Sequence, residues 1–185
     1  MTSLASDRRG AVYVEFLIAV VPFLIFVLCA IQSALLEFAN LATIRAASAA
    51  ARSAVVVLDD DPRFYQGEAR NSAQPGGARM DAIRRAASNV LAALPGASPA
   101  SMATQLKITF PSSGSGRERA SFGPDDMVTV RVGYLFPCIV PAARQIMCRG
   151  GTIEGATAQP GFSLMQVDAT LPNQGARYSY GGGGQ

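Results

Sequence analysis

Hydrophobic and polar positions change their pattern abruptly along this chain. Residues 11–31 read AVYVEFLIAVVPFLIFVLCAI, apolar at every helical phase, with Glu15 as the one charged group. At 1.5 Å per residue this run makes a helix of about 31 Å, which matches a hydrocarbon core of about 30 Å. It is predicted to span a membrane. Residues 32–58, QSALLEFANLATIRAASAAARSAVVVL, contain no Gly or Pro and are rich in Ala, the best helix former. One continuous helix is therefore expected from about residue 11 to about 58. Leu35, Phe38, Leu41 and Ala42 fall at helical spacing and predict an apolar stripe on its outer half. The small residues between Ala46 and Ala54 would let another helix approach closely.

Beyond this helix the periodicity becomes mixed. Pro62 disfavours helical geometry at its predecessor, so Asp59-Asp60-Asp61-Pro62 should end the helix in a solvated turn. The three carboxylates lack the spacing of an EF-hand loop. Residues 63–79 read as loop. Residues 80–94 place Ile83, Ala87, Val90, Leu91 and Leu94 on one face, an amphipathic helix expected to pack on a sheet and to stop at Pro95-Gly96. Leu106, Ile108 and Phe110 alternate within a strand predicted over 104–110. A polar loop at 112–126 precedes a second strand at 127–136, where Val128, Val130 and Val132 alternate with Thr129 and Arg131. A third strand is expected over 152–158. The fold class is α+β: a long membrane-plus-stalk helix, then a small head with an antiparallel sheet and a helix against it. Residues 1–10 form a leader, 11–31 the span, 32–58 the helix outside it, 59–175 the head, and 176–185 a glycine-rich flexible tail with Tyr178 and Tyr180 at an exposed end.

Composition narrows the chemistry. Of the 185 residues 49% are hydrophobic and only 16% charged, and the mean hydropathy is +0.22. A soluble domain carries about 25% charged residues, and the apolar excess here is concentrated in the span. What remains is enough for one compact domain. The chain has no histidine, which excludes His-based acid–base catalysis and His-ligated metals. Lys107 is its single lysine, leaving almost nothing for Schiff-base or P-loop chemistry. The net charge of +3 is scattered along the chain and makes no nucleic-acid footprint. Serines occur without a base constellation or a G-x-S-x-G elbow, and glycine-rich stretches lack a Walker or Rossmann context. No catalytic residues and no cofactor are expected, and the sequence argues for a non-enzymatic protein.

The sequence around the span carries an address. Arg8 and Arg9 lie directly against the apolar run, whereas the first basic residue on its far side is Arg45. The positive-inside rule predicts a cytoplasmic N-terminus and an exported C-terminal part. The apolar run is too long for a signal-peptidase substrate and passes into helix-forming sequence without a cleavage turn. Glu15 is out of place in a twin-arginine signal, and Leu28 is too bulky for the position before a lipidated Cys29.

The residues Arg8-Arg9-Gly10-Ala11-Val12-Tyr13-Val14-Glu15-Phe16 resemble a type IV prepilin processing site. More narrowly, they resemble the TadE-like minor pilins, or pseudopilins, of tight-adherence (Flp-type) pili. The resemblance covers residues 8–55 and includes Pro22 within the apolar helix. It implies cleavage by a prepilin peptidase between Gly10 and Ala11, with Glu15 as fifth residue of the mature chain and the aromatic Phe16 after it. It further implies a structural subunit in the inner membrane, with its head in the periplasm or in an extracellular fibre. Its implied partners are other major and minor pilins, the prepilin peptidase, the inner-membrane assembly platform and membrane lipid, with no nucleic acid. A head longer than the near-bare helix of a major Flp pilin favours a minor component.

A physical reason for the motif stands beside the resemblance. An acidic residue at mid-helix costs about 2.5 to 3.5 kcal/mol on insertion scales, and less near a helix start, where the macrodipole is positive. Cleavage after Gly10 would create an α-amino group, with a reference pKa of about 8, at the same depth as Glu15. Carboxylate and ammonium can then pair within one subunit or between neighbours. The alternative reading is a single-pass periplasmic binding module whose N-terminus is an uncleaved signal anchor, with Glu15 snorkelling to the headgroups.

Of the three cysteines, Cys29 lies in the span as a small apolar residue. Cys138 and Cys148 lie on the exported side, where an oxidising compartment makes them the expected disulfide. Closing so short a loop stabilises a head by about 2 to 3 kcal/mol on the chain-entropy model. Two cysteines without histidine do not suit zinc, and a redox-active pair would more often be C-x-x-C.

Overall fold

The computed structural model describes residues 9–112, 118–148, 150, 152–153, 156–157 and 160–173. Helix α1 (Arg9–Asp59) is continuous over 51 residues, as the apolar run and the Ala-rich stretch after it, free of Gly and Pro over residues 32–58, predict. Pro22 lies inside it without ending it. The segment from Val12 onward is long and apolar enough to cross a membrane, and its most apolar stretch is left bare by the other described residues.

The outer half of α1 is the spine of the head. Its buried face consists of Ala39, Thr43, Ala46, Ala47, Ala50, Ala51, Ala54 and Leu58. This corrects the expected stripe. Leu35 and Ala42 pack partly against the core, but Phe38 and Leu41 are half exposed. The physical reason is size: alanine at successive turns lets neighbouring backbones come close, whereas Phe38 and Leu41 would hold them away.

Two layers meet on this spine. One is a three-stranded antiparallel sheet in the order β1-β2-β5, formed by β1 (Leu106–Thr109), β2 (Met127–Pro137) and β5 (Phe162–Pro172). The register pairs Val128 with Leu171, Val130 with Ala169, Val132 with Val167 and Tyr134 with Met165 on the face toward α1. Thr129 pairs with Thr170 and Arg131 with Asp168 on the other face. Alternation of this kind is what a sheet covered on one side requires. The other layer is α2 (Ala78–Leu91), which buries Met80, Ile83, Ala87 and Leu91. Its principal partner is α1 and not the sheet, again because the alanine face of α1 offers a close seat.

Boundaries differ from the sequence reading at several points. Thr104 and Gln105 belong to α3 (Pro99–Gln105), so the first strand is shorter than predicted. Ser98 caps α3 through a reciprocal box with Ser101, and Pro99 occupies its first turn. The segment expected to be the third strand, 152–158, instead supplies β3 (Thr152–Ile153) and β4 (Ala156–Thr157), a separate two-stranded hairpin. The third strand of the main sheet is β5, signalled by Met165, Val167, Ala169 and Leu171 alternating with Gln166, Asp168 and Thr170. A short helix, α4 (Ala143–Met147), lies between Cys138 and Cys148. The predicted tail 176–185 lies outside the described residues.

Candidate functional site

The residues singled out from the sequence fall at two levels of α1. The Gly10–Ala11 bond lies in its first turn, and the backbone there is already helical. Glu15 and Phe16 follow on the bare part of the helix, both exposed. Glu15 has no hydrogen bond or ion pair among the described residues, unlike Asp126 and Asp168, which pair with Arg119 and Arg131. Val12, Tyr13, Phe16, Ile18, Phe23 and Phe26 surround it with exposed large side chains. This exposed apolar surface belongs to a helix long and apolar enough to cross a membrane.

The second level is at the end of the apolar run, about 25 Å higher at the helical rise. Cys138 and Cys148 are joined in a disulfide with a Cα–Cα distance of 6.5 Å, and both are buried. Cys29 is free and half-buried. The bridged loop is attached to α1: the Val140 N–H donates to Gln32 Oε1 at 3.2 Å, and Gln32 is fully buried beneath it. The structure thus separates the two groups of predicted site residues and brings the disulfide against the helix.

A third cluster joins the end of α1 to the start of α2, and the sequence reading passed over it. Asp59 and Asp61 are buried, not solvated as predicted for the acidic run. Asp61 Oδ1 accepts from the Arg63 N–H at 3.0 Å and caps a short 3-10 turn over Pro62–Phe64. Asp60 Oδ2 accepts from the Tyr65 hydroxyl at 3.2 Å, and Asp59 Oδ1 from Asn71 Nδ2 at 3.4 Å. Turn formation and hydrogen bonds account for Asp60 and Asp61, whereas Asp59 Oδ2 is buried with no hydrogen-bond partner among the described residues.

Arg79 is the centre of that cluster. It is fully buried, and its guanidinium donates to the carbonyls of Val57, Asp60 and Glu68 while lying 4.5 Å from the centroid of the Tyr65 ring. Burial lowers its pKa from the ordinary arginine value, against the opposing pull of Tyr65, Glu68 and Asp60. The Glu68 carboxylate accepts from the backbone N–H groups of Ala78 and Arg79 and so occupies the N-terminus of α2. Gly77 makes room for it, since a Cβ there would lie 2.2 Å from Glu68 Oε1. The end of one helix and the start of the next are satisfied by the same few side chains.

A cleft of about 390 Å³ between α2 and α3 is lined by Arg84, Arg85, Ser88 and Met102 among others. Among the described residues, no three His, Cys, Asp or Glu side chains gather as metal ligands. The architecture thus offers an apolar helical surface, a disulfide-bridged loop at its upper end and a small rigid head. No protein-family model, curated protein or solved structure matches the chain.

Proposed function

We propose that the protein is a TadE-like minor pilin, a structural subunit that takes part in assembling, priming or capping a tight-adherence pilus. The observation that carries this reading is that one helix does two jobs. Its lower half is bare, apolar and interrupted only by Glu15, and its upper half is the spine of the head. A subunit of this shape can store its apolar half in lipid and later exchange lipid for neighbouring helices. The processing motif supplies the chemistry of that exchange. Cleavage between Gly10 and Ala11 frees an ammonium four residues from Glu15, and the pair replaces the solvation the carboxylate loses in a packed bundle. In this reading the N-terminus faces the cytoplasm and the head faces the periplasm. The partners are other pilins, the prepilin peptidase and the assembly platform.

The N-terminal mass of protein extracted from membranes tests it. A mature chain beginning at Ala11 is expected. Gly10→Val should leave the full-length precursor in the membrane, because a side chain at that position obstructs close approach of the peptidase to the backbone. An intact or Met-trimmed Met1 terminus in the unaltered protein would instead make it an anchored periplasmic module.

A further inference from the structure

We propose that the disulfide-bridged loop 139–147 is a second membrane contact, seated in the headgroup layer where α1 leaves the bilayer. This rests on the reading of α1 as a membrane span, and it concerns a part of the chain that reading leaves unused. The first argument is height. The loop is held to α1 by Val140 N–H on Gln32 Oε1, and Met147 Sδ lies 3.9 Å from Ser33 Oγ. It therefore stands beside residues 32 and 33, immediately above the last apolar residue, Ile31. At 1.5 Å per residue that is about 3 Å beyond the hydrocarbon core, inside a headgroup layer about 5 to 7 Å deep.

The second argument is surface chemistry. Ile139 and Ile146 stand at either end of the loop, 50% and 53% exposed. Residues 139–147, IVPAARQIM, contain no acid and one base, Arg144, which is exposed. Apolar side chains beside a lone cation suit a layer with acyl chains below and phosphates around it. The third argument is rigidity. The disulfide closes the loop, α4 fills it, and the Cys138 N–H on Gly161 O and Gly161 N–H on Cys148 O tie its base to the start of β5. Little conformational entropy remains to be lost when such a loop meets lipid. A head fixed to the bilayer by both helix and loop cannot swivel about the helix axis.

The chain contains no tryptophan, so one introduced indole reports its own surroundings without background. The full-length protein would be reconstituted in vesicles of phosphatidylcholine and phosphatidylglycerol, with bromines placed either near the carbonyls or deep in the acyl chains. Three variants define a ladder: Phe23→Trp in the middle of the span, Ile146→Trp in the loop, and Phe64→Trp at the far end of the head. All three positions are exposed, so the larger ring has room. Phe23→Trp should lose emission mainly to deep bromines, Ile146→Trp mainly to shallow ones, and Phe64→Trp to neither. Ile139→Trp should behave like Ile146→Trp, which guards against an effect of one substitution. Quenching of Phe23→Trp together with an Ile146→Trp as unquenched as Phe64→Trp would overturn the loop contact and leave the span standing. Absence of quenching at Phe23→Trp would overturn the span, and the loop contact with it.

Discussion

The two halves of α1 share one backbone and differ in everything that covers it. Below residue 31, side chains such as Tyr13, Phe16, Phe23 and Phe26 are exposed, with no cover from the other described residues. Above it, alanines at successive turns are fully buried against the sheet and α2. Helix propensity does not distinguish the halves. Side-chain size does: large apolar groups on every face recruit lipid or other helices, and small ones on one face admit the rest of the same chain. The upper half contributes little apolar area of its own. Its burial value comes from what it lets in, notably Ile83, Val130, Val132 and Tyr134.

The sharpest break in this comparison lies at the upper end, where protein and not lipid satisfies the helix terminus. Arg79→Ala removes three hydrogen bonds to carbonyls, one buried (Val57) and two partly buried (Asp60 and Glu68), opens a cavity and strips the face of Tyr65. A loss of about 3 kcal/mol of head stability is expected, read by denaturant unfolding of the full chain in micelles. Arg79→Lys should recover part of it, because one ammonium cannot span three carbonyls as the guanidinium fork does. Retention of wild-type stability by Arg79→Ala would mean that the α1–α2 connection is held by apolar packing alone.

Bulk is the next discriminator. Ala50→Phe forces a ring between α1 and its neighbours and should cost about 1 to 3 kcal/mol, toward the upper end because the site is fully buried. Val21→Phe makes a similar increase in the lower half, where Val21 is 50% exposed, and should leave head stability unchanged. Equal effects of the two substitutions would dissolve the distinction between the halves.

These two pairs also show what could be read from the chain. The upper end of α1 is legible because residues 32–58 are Ala-rich and free of Gly and Pro, whereas Pro22 lower down does not end the helix. The disulfide is legible because two of the three cysteines, Cys138 and Cys148, lie close together in sequence beyond the apolar run that holds Cys29. The alternation of Val128, Val130 and Val132 places β2 within a residue or so. The buried face of α1 is less legible, because large apolar residues such as Phe38 and Leu41 outweigh alanines in any hydrophobic pattern. The repeat of small residues at 39, 43, 46, 50 and 54 was the better guide. Arg79 carries no local signal at all: the carbonyls it bonds lie 11 to 22 residues earlier in sequence. For the same reason the burial of Asp59 and Asp61 depends on α2 and its preceding loop folding back over them. Ser98-Pro99, in contrast, is a readable start for α3.

The bridged loop stands at the boundary between the halves, and Cys138→Ser asks how much it contributes. Opening a short loop should lower head stability by about 2 to 3 kcal/mol, and more if the unpaired thiol is poorly accommodated where both cysteines are buried. Mass analysis without reductant should show the linked peptide in the wild-type protein and its absence in the variant. Two alkylatable thiols in native protein would remove both the bridge and the rigidity assigned to the loop.

The smallest effect belongs to the side of the sheet that faces away from α1. There Arg131 Nε and Nη2 each lie 2.7 Å from an Asp168 carboxylate oxygen, and the Thr129 and Thr170 hydroxyls are 2.9 Å apart. The hydrogen bonds from Arg131, aided by its charge and opposed by partial desolvation, hold the Asp168 carboxyl below its ordinary pKa. A depressed carboxylate pKa means that the folded state binds its proton less readily than the unfolded one. The pair's contribution is therefore complete above the unfolded value of about 3.9 and disappears as pH falls through the lower folded value. Both side chains are more than one-third exposed, at 36% and 41%, so water screens the pair to about 0.5 kcal/mol. Asp168→Asn should thus be slightly less stable than wild type at neutral pH, and the difference should shrink as pH falls below about 4. Unfolding midpoints of the two proteins across that range measure it. A difference that stays constant with pH would assign the effect of Asp168 to its shape and hydrogen bonding and not to its charge.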